Sequence, residues 1–439
     1  MKKHLVPFSA TAASLGGFLF GFDTAVISGT TAALQDKWDL SAGQLGFTVS
    51  CALIGTIIGA LFGGIPADKW GRRPVLKGVA ALYLITSVCV AVANSWVFFL
   101  IFRMLGGIAV GASSVIAPLY TAEISPAARR GKLVATVQLN IVIGIVVSYF
   151  SNYIIVKMMP VELGWRWMLG IQAVPSLIFL AVCYFIPESP RWLYTRGRDS
   201  ESLRVMEDLW GKNEAAQVMA NMHNAAPHAA ATEPFFSKRT ARPITMAILI
   251  AFFSQFAGTN AVLYYAPSLL QSAGIAGDAA FASSILVGLT NLAFTLLGRS
   301  LVDKVGRRPL VTLGAGIDLV ALLAIAGIFY FNGSELSTTT GIIVLVLIIV
   351  FIAALAVGIG SVLWVFISEI FPPAHRANGQ AVGSAAHWVS AAIISGTFPV
   401  MFQASMTFTF LFYAACMLGA VIWSRTMMPE TKGTLLEDV

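Results

Sequence analysis

Asp68-Lys69-Trp70-Gly71-Arg72-Arg73-Pro74 returns 235 residues later as Asp303-Lys304-Val305-Gly306-Arg307-Arg308-Pro309. Two more pairs repeat in the same order at nearly the same spacing. Ala122-Glu123-Ile124 is echoed by Ser368-Glu369-Ile370 at an offset of 246, and Pro187-Glu188-Ser189 by Pro429-Glu430-Thr431 at 242. Three motifs in one order at nearly one offset indicate a duplicated unit.

What each copy contains follows from the sequence around the motifs. Of 439 residues 57% are hydrophobic and 11% charged, against about 25% charged in an ordinary soluble domain. Long apolar stretches lie near residues 8–29, 43–65, 78–94, 97–120, 133–156 and 165–186, then 244–270, 281–302, 311–331, 341–367, 378–402 and 407–427. Each is long enough to cross a bilayer core, which takes about 20 residues. In lipid the backbone must satisfy its own hydrogen bonds, and the ten-residue alternation of a barrel strand is absent, so the spans are helices. The sequence therefore predicts an all-α membrane protein of twelve transmembrane helices in two six-helix halves, 1–186 and 244–439, joined by a helical cytoplasmic linker, 187–243. An even span count gives both halves one orientation. Parallel repeats of this kind imply a pseudo-twofold axis along the membrane normal, with the substrate site between the halves near the midplane.

Alternating the loops places 23 of the 28 Lys and Arg residues on the N-terminal side of the membrane. By the positive-inside rule that side is the cytoplasm, so both termini are expected there, in a cell (inner or plasma) membrane. The same loops account for the net charge of +7, and no basic domain is large enough to grip nucleic acid. Met1-Lys2-Lys3 and the following apolar run imitate a signal peptide. The run continues to Ile27 and contains Asp23, which reads as a retained first helix. Cys51, Cys89, Cys183 and Cys416 have no paired spacing and suggest packing, with no disulfide or metal role. In the linker, Leu203, Met206, Leu209 and Trp210 recur at helical spacing, predicting one or two amphipathic helices between Arg198 and about His223. The Ala-rich stretch 224–233 follows as a flexible connection, and His223 and His228 read as solvated.

Each motif has a local reading. Gly71 and Gly306 permit a tight turn, and Arg72, Arg73, Arg307 and Arg308 can bond carboxylates and terminal carbonyls. Glu123, Glu188, Glu369 and Glu430 lie at the same edge, with Asp68, Asp303, Arg130, Arg191 and Arg376. Such pairs can make and break as the cytoplasmic ends close and part, a gate of the kind alternating access needs. The alternative is a set of ordinary positive-inside anchors.

Inside the spans, ionisable residues are functional candidates because isolating them in lipid is costly. Asp23 lies about 22 Å from the inner face of a core about 30 Å thick, and Arg103 about 9 Å from the outer face. Their depths match, so they are a candidate pair. Protonation of Asp23 would loosen Arg103 and couple a proton gradient to the conformational cycle; a static structural pair is the other reading. Asp318 and Arg299 could pair or snorkel, and no transport role is assigned to them.

The ordered motifs, with Pro187 to Trp192, Pro429 to Gly433, and the run Gln255-Phe256-Ala257-Gly258-Thr259-Asn260 before Tyr264-Tyr265, closely resemble the sugar porter family of the major facilitator superfamily. The resemblance covers essentially the whole chain. It implies that family's fold and import of a hexose or pentose coupled to protons. In the family's proton symporters a first-span carboxylate pairs with a fourth-span arginine, here Asp23 and Arg103. It also implies sugar contacts at Gln138, Gln255, Asn260, Tyr265, Asn291, Trp364 and Trp388, residue types that suit a ligand with many hydroxyls and weakly apolar faces. His387, where the family often has an amide, could bond the sugar, sense pH or simply pack. Further departures are Ser254 before Gln255, Ile145 for a frequent glutamine, and Gly360-Ser361-Val362-Leu363-Trp364 without the usual proline. They leave the particular sugar open. The expected partners are a small-molecule sugar, protons and the lipid bilayer, with no nucleic acid and a monomeric state; no cofactor and no metal is implied. A facilitative uniporter of the same fold and a non-transporting sugar sensor are the alternatives. An enzyme is disfavoured, since no phosphate loop, nucleophile elbow or metal-ligand cluster is present.

Overall fold

The structure, a computed structural model, describes residues 4–126, 129–224, 235–275, 277–333, 336–372 and 375–432. Of the described residues 88% are helical, and no strand occurs among them. Twelve helical stretches there are long and apolar enough to cross a membrane. In order they are Leu5–Gly29, Ala42–Phe62, Arg72–Ala91, Trp96–Ile124, Arg130–Met158, Glu162–Val182, Arg239–Ser272, Gly277–Val305, Arg307–Asn332, Thr338–Glu369, Asn378–Ala404 and Met406–Thr426. This is the multi-pass, all-α architecture that the apolar runs predict. Several helices run a turn beyond those runs because their polar ends reach past the hydrocarbon. Spans four, ten and twelve each begin behind a serine whose Oγ accepts a backbone N–H, Ser95 from Phe98, Ser337 from Thr340 and Ser405 from Phe408. That bond satisfies one of the otherwise orphaned N–H groups of a helix start.

Span six is interrupted at Ile171 and Gln172, between Val161–Gly170 and Ala173–Val182, and spans seven and ten are broken where continuous helices were expected. The seventh consists of Lys238–Phe256 and Thr259–Ser272, separated by Gly258 at φ +92°. A side chain at Gly258 would be strained, and its Cβ would lie 2.7 Å from the Tyr413 ring. In the tenth span a π-turn, Ala356–Gly360, separates Thr338–Leu355 from Ser361–Glu369. Such turns release backbone groups from the helical ladder and recur at functional sites.

The linker holds three short helices, Pro190–Thr195, Asp199–Trp210 and Lys212–Asn224. The first was not anticipated, although Ser189 capping Trp192 N–H with Pro190 at the first helical position is a recognisable start. Of the expected flexible stretch 224–233 only Asn224 is among the described residues, and His228 and Gly433 lie outside them.

By contact the chain divides into two compact units. The first comprises Met1–Asp23, Gly55–Gly144 and Leu169–Thr232. Its core includes Leu19, Leu76, Tyr83, Ile116, Tyr120 and Phe179. Helix Asp199–Trp210 docks on it through Leu209, and Trp210 Nε1 donates to Ile124 O at 3.0 Å. The second comprises Thr24–Ile54, Ile145–Met168 and Glu233–Val439. Within it, the short helix Thr31–Trp38 that follows span one, and part of span five, are tied to spans seven and eight. Tyr149 Oη donates to Leu263 O at 2.6 Å, Thr31 and Ser268 share a hydroxyl bond of 3.0 Å, and Lys157 pairs with Asp278. The unit boundary along span one falls immediately after Asp23.

Candidate functional site

The repeated motif builds the same corner twice, once in each unit. At Gly71, φ +103° turns the chain between spans two and three, a conformation only glycine adopts readily. The turn aims Arg72 inward, where Nε and Nη2 grip the Glu123 carboxylate at 3.0 and 3.1 Å and Nη1 donates to Ala67 O at 3.0 Å. Glu188 closes the corner by accepting Arg72 N–H at 2.9 Å, and Arg73 Nε donates to Cys183 O at 3.4 Å. In the second unit Gly306 has φ +107°. Arg307 grips Glu369 at 3.0 and 2.7 Å and caps Val302 O at 3.1 Å. Glu430 accepts Arg307 and Arg308 N–H, each at 3.0 Å, and Arg308 Nε donates to Ser424 O at 2.9 Å. Asp68 and Asp303 join as exposed partners of Arg72 and Arg307 at 3.1 and 3.0 Å. Every one of these bonds in each corner stays inside one unit. Arg130 and Arg191 are exposed and make no ion pair with a described residue. Arg376 leaves Nε and Nη2 without a partner among the described residues.

The two glutamates closing the corners differ electrostatically. Burial pushes the Glu188 carboxyl above its ordinary value, against N–H groups of Ser189, Arg73 and Arg72 and the Arg72 charge. At Glu430 burial pulls the same way, but N–H groups of Arg307, Lys432, Arg308 and Thr431 outweigh it and hold the carboxyl below its ordinary value. The signs follow by linkage. A raised carboxyl contributes stability that is present at low pH and lost as pH rises through its folded value. A depressed one contributes above its unfolded value and loses that contribution as pH falls. Near neutral pH, Glu188→Gln is therefore expected to lower the melting temperature of the detergent-purified protein less than Glu430→Gln. The reverse order would contradict this assignment.

Asp23 and Arg103 meet in the first unit. Arg103 Nη1 donates to Asp23 Oδ1 at 2.7 Å, and both side chains are buried. Beside them is a space of about 10 Å³, room for about one water, lined by Thr86, Ser87 and Gln172. Among the described residues Arg103 Nε has no hydrogen-bond partner, so the pair is not a fully satisfied structural bridge there. The sequence reading missed these three neighbours because it weighed ionisable residues in spans ahead of neutral ones; Gln172, an amide in an apolar run, was the available signal.

In the second unit, the breaks in spans seven and ten accompany a polar, aromatic cluster. Asn260 Nδ2 donates to Gln255 Oε1 at 2.8 Å, and Gln255 Nε2 lies 3.2 Å from His387 Nε2. The His387 ring sits between Trp364 and Trp388, with centroids 5.1 and 5.0 Å away. Amides that donate and accept beside indole faces suit a polyhydroxylated ligand. Tyr265 is placed differently. It is buried, its hydroxyl donates to Ser395 O at 3.1 Å, and its ring packs on Phe398. Asn291 is half-buried, with its Oδ1 3.5 Å from Thr295 Oγ1 and no bond to the cluster. Gln138 is exposed and belongs to the first unit. Asp318 and Arg299 do not pair: Asp318 is fully buried with neither oxygen bonded to a described residue, and Arg299 is exposed.

Comparison with known proteins agrees with this architecture. The family model described as sugar (and other) transporter matches residues 9–439. The D-xylose-proton symporter of Escherichia coli is 35% identical over 470 aligned positions, covering 98% of this chain and 94% of that protein. The arabinose-proton symporter of Bacillus subtilis is 33% identical, covering 98% and 93%. Among solved structures, the E. coli xylose transporter in a partially occluded inward open conformation superposes with a TM-score of 0.86 at 34% identity, covering 99% of this chain and all of that one. A duplicated twelve-span bundle with these corners, matched end to end by the family model and by such relatives, belongs to the sugar transporter family, a family of membrane transporters and not of enzymes.

Proposed function

We propose that this protein imports a monosaccharide together with a proton, by alternating access. The observation that carries the reading is the buried Asp23–Arg103 pair at 2.7 Å, one guanidinium nitrogen of which has no partner among the described residues. A buried carboxylate held by a single cation can take up a proton and release that cation, a local charge change able to bias a two-state protein. The relatives that are proton symporters of xylose and arabinose support the coupling and make an aldose, pentose or hexose, the substrate class. Gln255, Asn260, His387, Trp364 and Trp388 form the second half's share of the sugar site. Gln138 is the first half's share, and Tyr265 and Asn291 act from beside the cluster. The two six-span halves rock about this site as bodies whose cytoplasmic ends are stiffened and latched by the Arg72 and Arg307 corners, with Arg130, Arg191 and Arg376 contributing in the closed state. The positive-inside charge supports a cytoplasmic side for both termini, and the protein acts as a monomer in the cell membrane.

The test is uptake into liposomes of a panel of labelled pentoses and hexoses, with and without an imposed inward proton gradient. Accumulation of one sugar above equilibrium, abolished by a protonophore, is the expected result. Equilibration indifferent to the gradient would make the protein a uniporter, and binding without flux a sensor. For the transported sugar, Gln255→Leu is expected to raise KM about tenfold with little change in maximal rate. That is the loss of roughly one hydrogen bond of about 1.4 kcal/mol, made alike in ground and transition states. An unchanged KM would remove Gln255 from the sugar site.

A further inference from the structure

Spans nine, ten and twelve enclose a groove of about 710 Å³ on the outer surface of the second unit. Its walls are apolar and strongly exposed: Leu313, Ile317, Val320 and Val350 all present their side chains to the surroundings. Gly316 is among its lining residues, and a Cβ built there would meet nothing within 4 Å, so the hollow is open at that point. At the end nearest the N-terminal face stand two arginines, Arg308 and Arg425. Arg308 spends Nε on Ser424 O and Nη2 on Arg425 O, which leaves Nη1 with no protein acceptor among the described residues. The Arg425 side chain makes no bond to a described residue. The nearby Glu430 carboxylate is occupied by N–H groups of Arg307, Arg308 and Lys432, so it neutralises neither guanidinium directly.

We propose that this groove is a binding site for one anionic phospholipid, its phosphate bridging Arg308 and Arg425 and one acyl chain lying along Gly316 and Ile317. Charge and depth both select this occupant. Two free guanidinium edges at the end of a membrane span favour a phosphate, and basic pockets between spans bind acidic headgroups in this way. From Arg308 to Val320 the groove descends about 18 Å at 1.5 Å per residue. That is comparable to one leaflet of a hydrocarbon core about 30 Å thick. A soluble anion would use the arginines and leave the groove empty; a zwitterionic lipid would fill the groove but bring a phosphate whose charge its own cationic headgroup offsets.

The site is tested by native mass spectrometry of the full-length protein, exchanged into detergent and titrated with phosphatidylglycerol and phosphatidylcholine of matched chains. With each arginine strengthening anion binding about fivefold, the wild type is expected to prefer phosphatidylglycerol by about thirtyfold. Arg425→Gln should reduce that preference about fivefold. Gly316→Leu fills the hollow and should weaken retention of both lipids, with an unchanged melting temperature showing that it folds. Equal retention of the two lipids by the wild type would overturn the proposal, as would a preference untouched by Arg425→Gln. Glycerol phosphate competing as well as phosphatidylglycerol would mark an anion site without the acyl groove and would overturn it too.

Discussion

Asp23→Asn protein in liposomes is expected to take up labelled sugar until inside and outside concentrations are equal and to stop there, whatever proton gradient is imposed. For one proton per sugar, each pH unit of gradient is worth about 1.36 kcal/mol, about tenfold accumulation in the wild type. The variant should fall from that to one. Asparagine has nearly the shape of the carboxylate and keeps an oxygen that can accept from Arg103 Nη1, now 2.7 Å from Asp23 Oδ1. What it removes is the choice between charged and neutral forms, so inward and outward states no longer differ in proton affinity at this site. Counterflow of labelled against unlabelled sugar needs no proton and should persist. Persistent counterflow separates lost coupling from lost folding. Uphill accumulation by Asp23→Asn would take Asp23 out of the coupling step and leave the pair a static bridge.

The parts of this architecture that were legible in the sequence are those written in charge and apolar length. Spans show because lipid demands unbroken apolar runs. The duplicated corner shows because Gly71 and Gly306, Arg72 and Arg307, and their glutamates are chemically irreplaceable in a tight charged turn. Asp23 and Arg103 could be set at one depth by counting 1.5 Å per residue. What stayed hidden depends on which apolar surface meets which. Nothing in the hydropathy of span five, or of the short helix after span one, says that Tyr149 and Thr31 bond to span seven in the second unit. The break at Gly258 hides in an apolar run, where a glycine reads equally as helix packing, and the π-turn at Ala356–Gly360 carries no charge signal. Asp318 and Arg299 show the converse failure: opposite charges in neighbouring spans suggested a pair, but the Asp318 side chain is buried and Arg299 is exposed.

Among single changes at the N-terminal face, Arg72→Met is expected to be the most damaging to stability. The Arg72 and Glu123 side chains are only 10% and 7% exposed. Removing the guanidinium strands a carboxylate that water cannot reach, a loss of about 3–5 kcal/mol for a broken buried pair. The equivalent Arg307→Met should cost less. Glu369 is 21% exposed and keeps a second donor, Thr431 Oγ1 at 2.6 Å. Asp68→Asn should cost least, because that carboxylate is 74% exposed and exposed pairs contribute about 0–1 kcal/mol. The decisive comparison is the double variant Arg72→Met with Glu123→Leu. Replacing both partners with apolar side chains removes the stranded charge, so much of the lost stability should return. Thermal unfolding of the four proteins in detergent, wild type, two singles and the double, measures the coupling directly. If the two losses simply add, Arg72 and Glu123 are not energetically joined, and the corner is held by Gly71, Glu188 and the backbone alone.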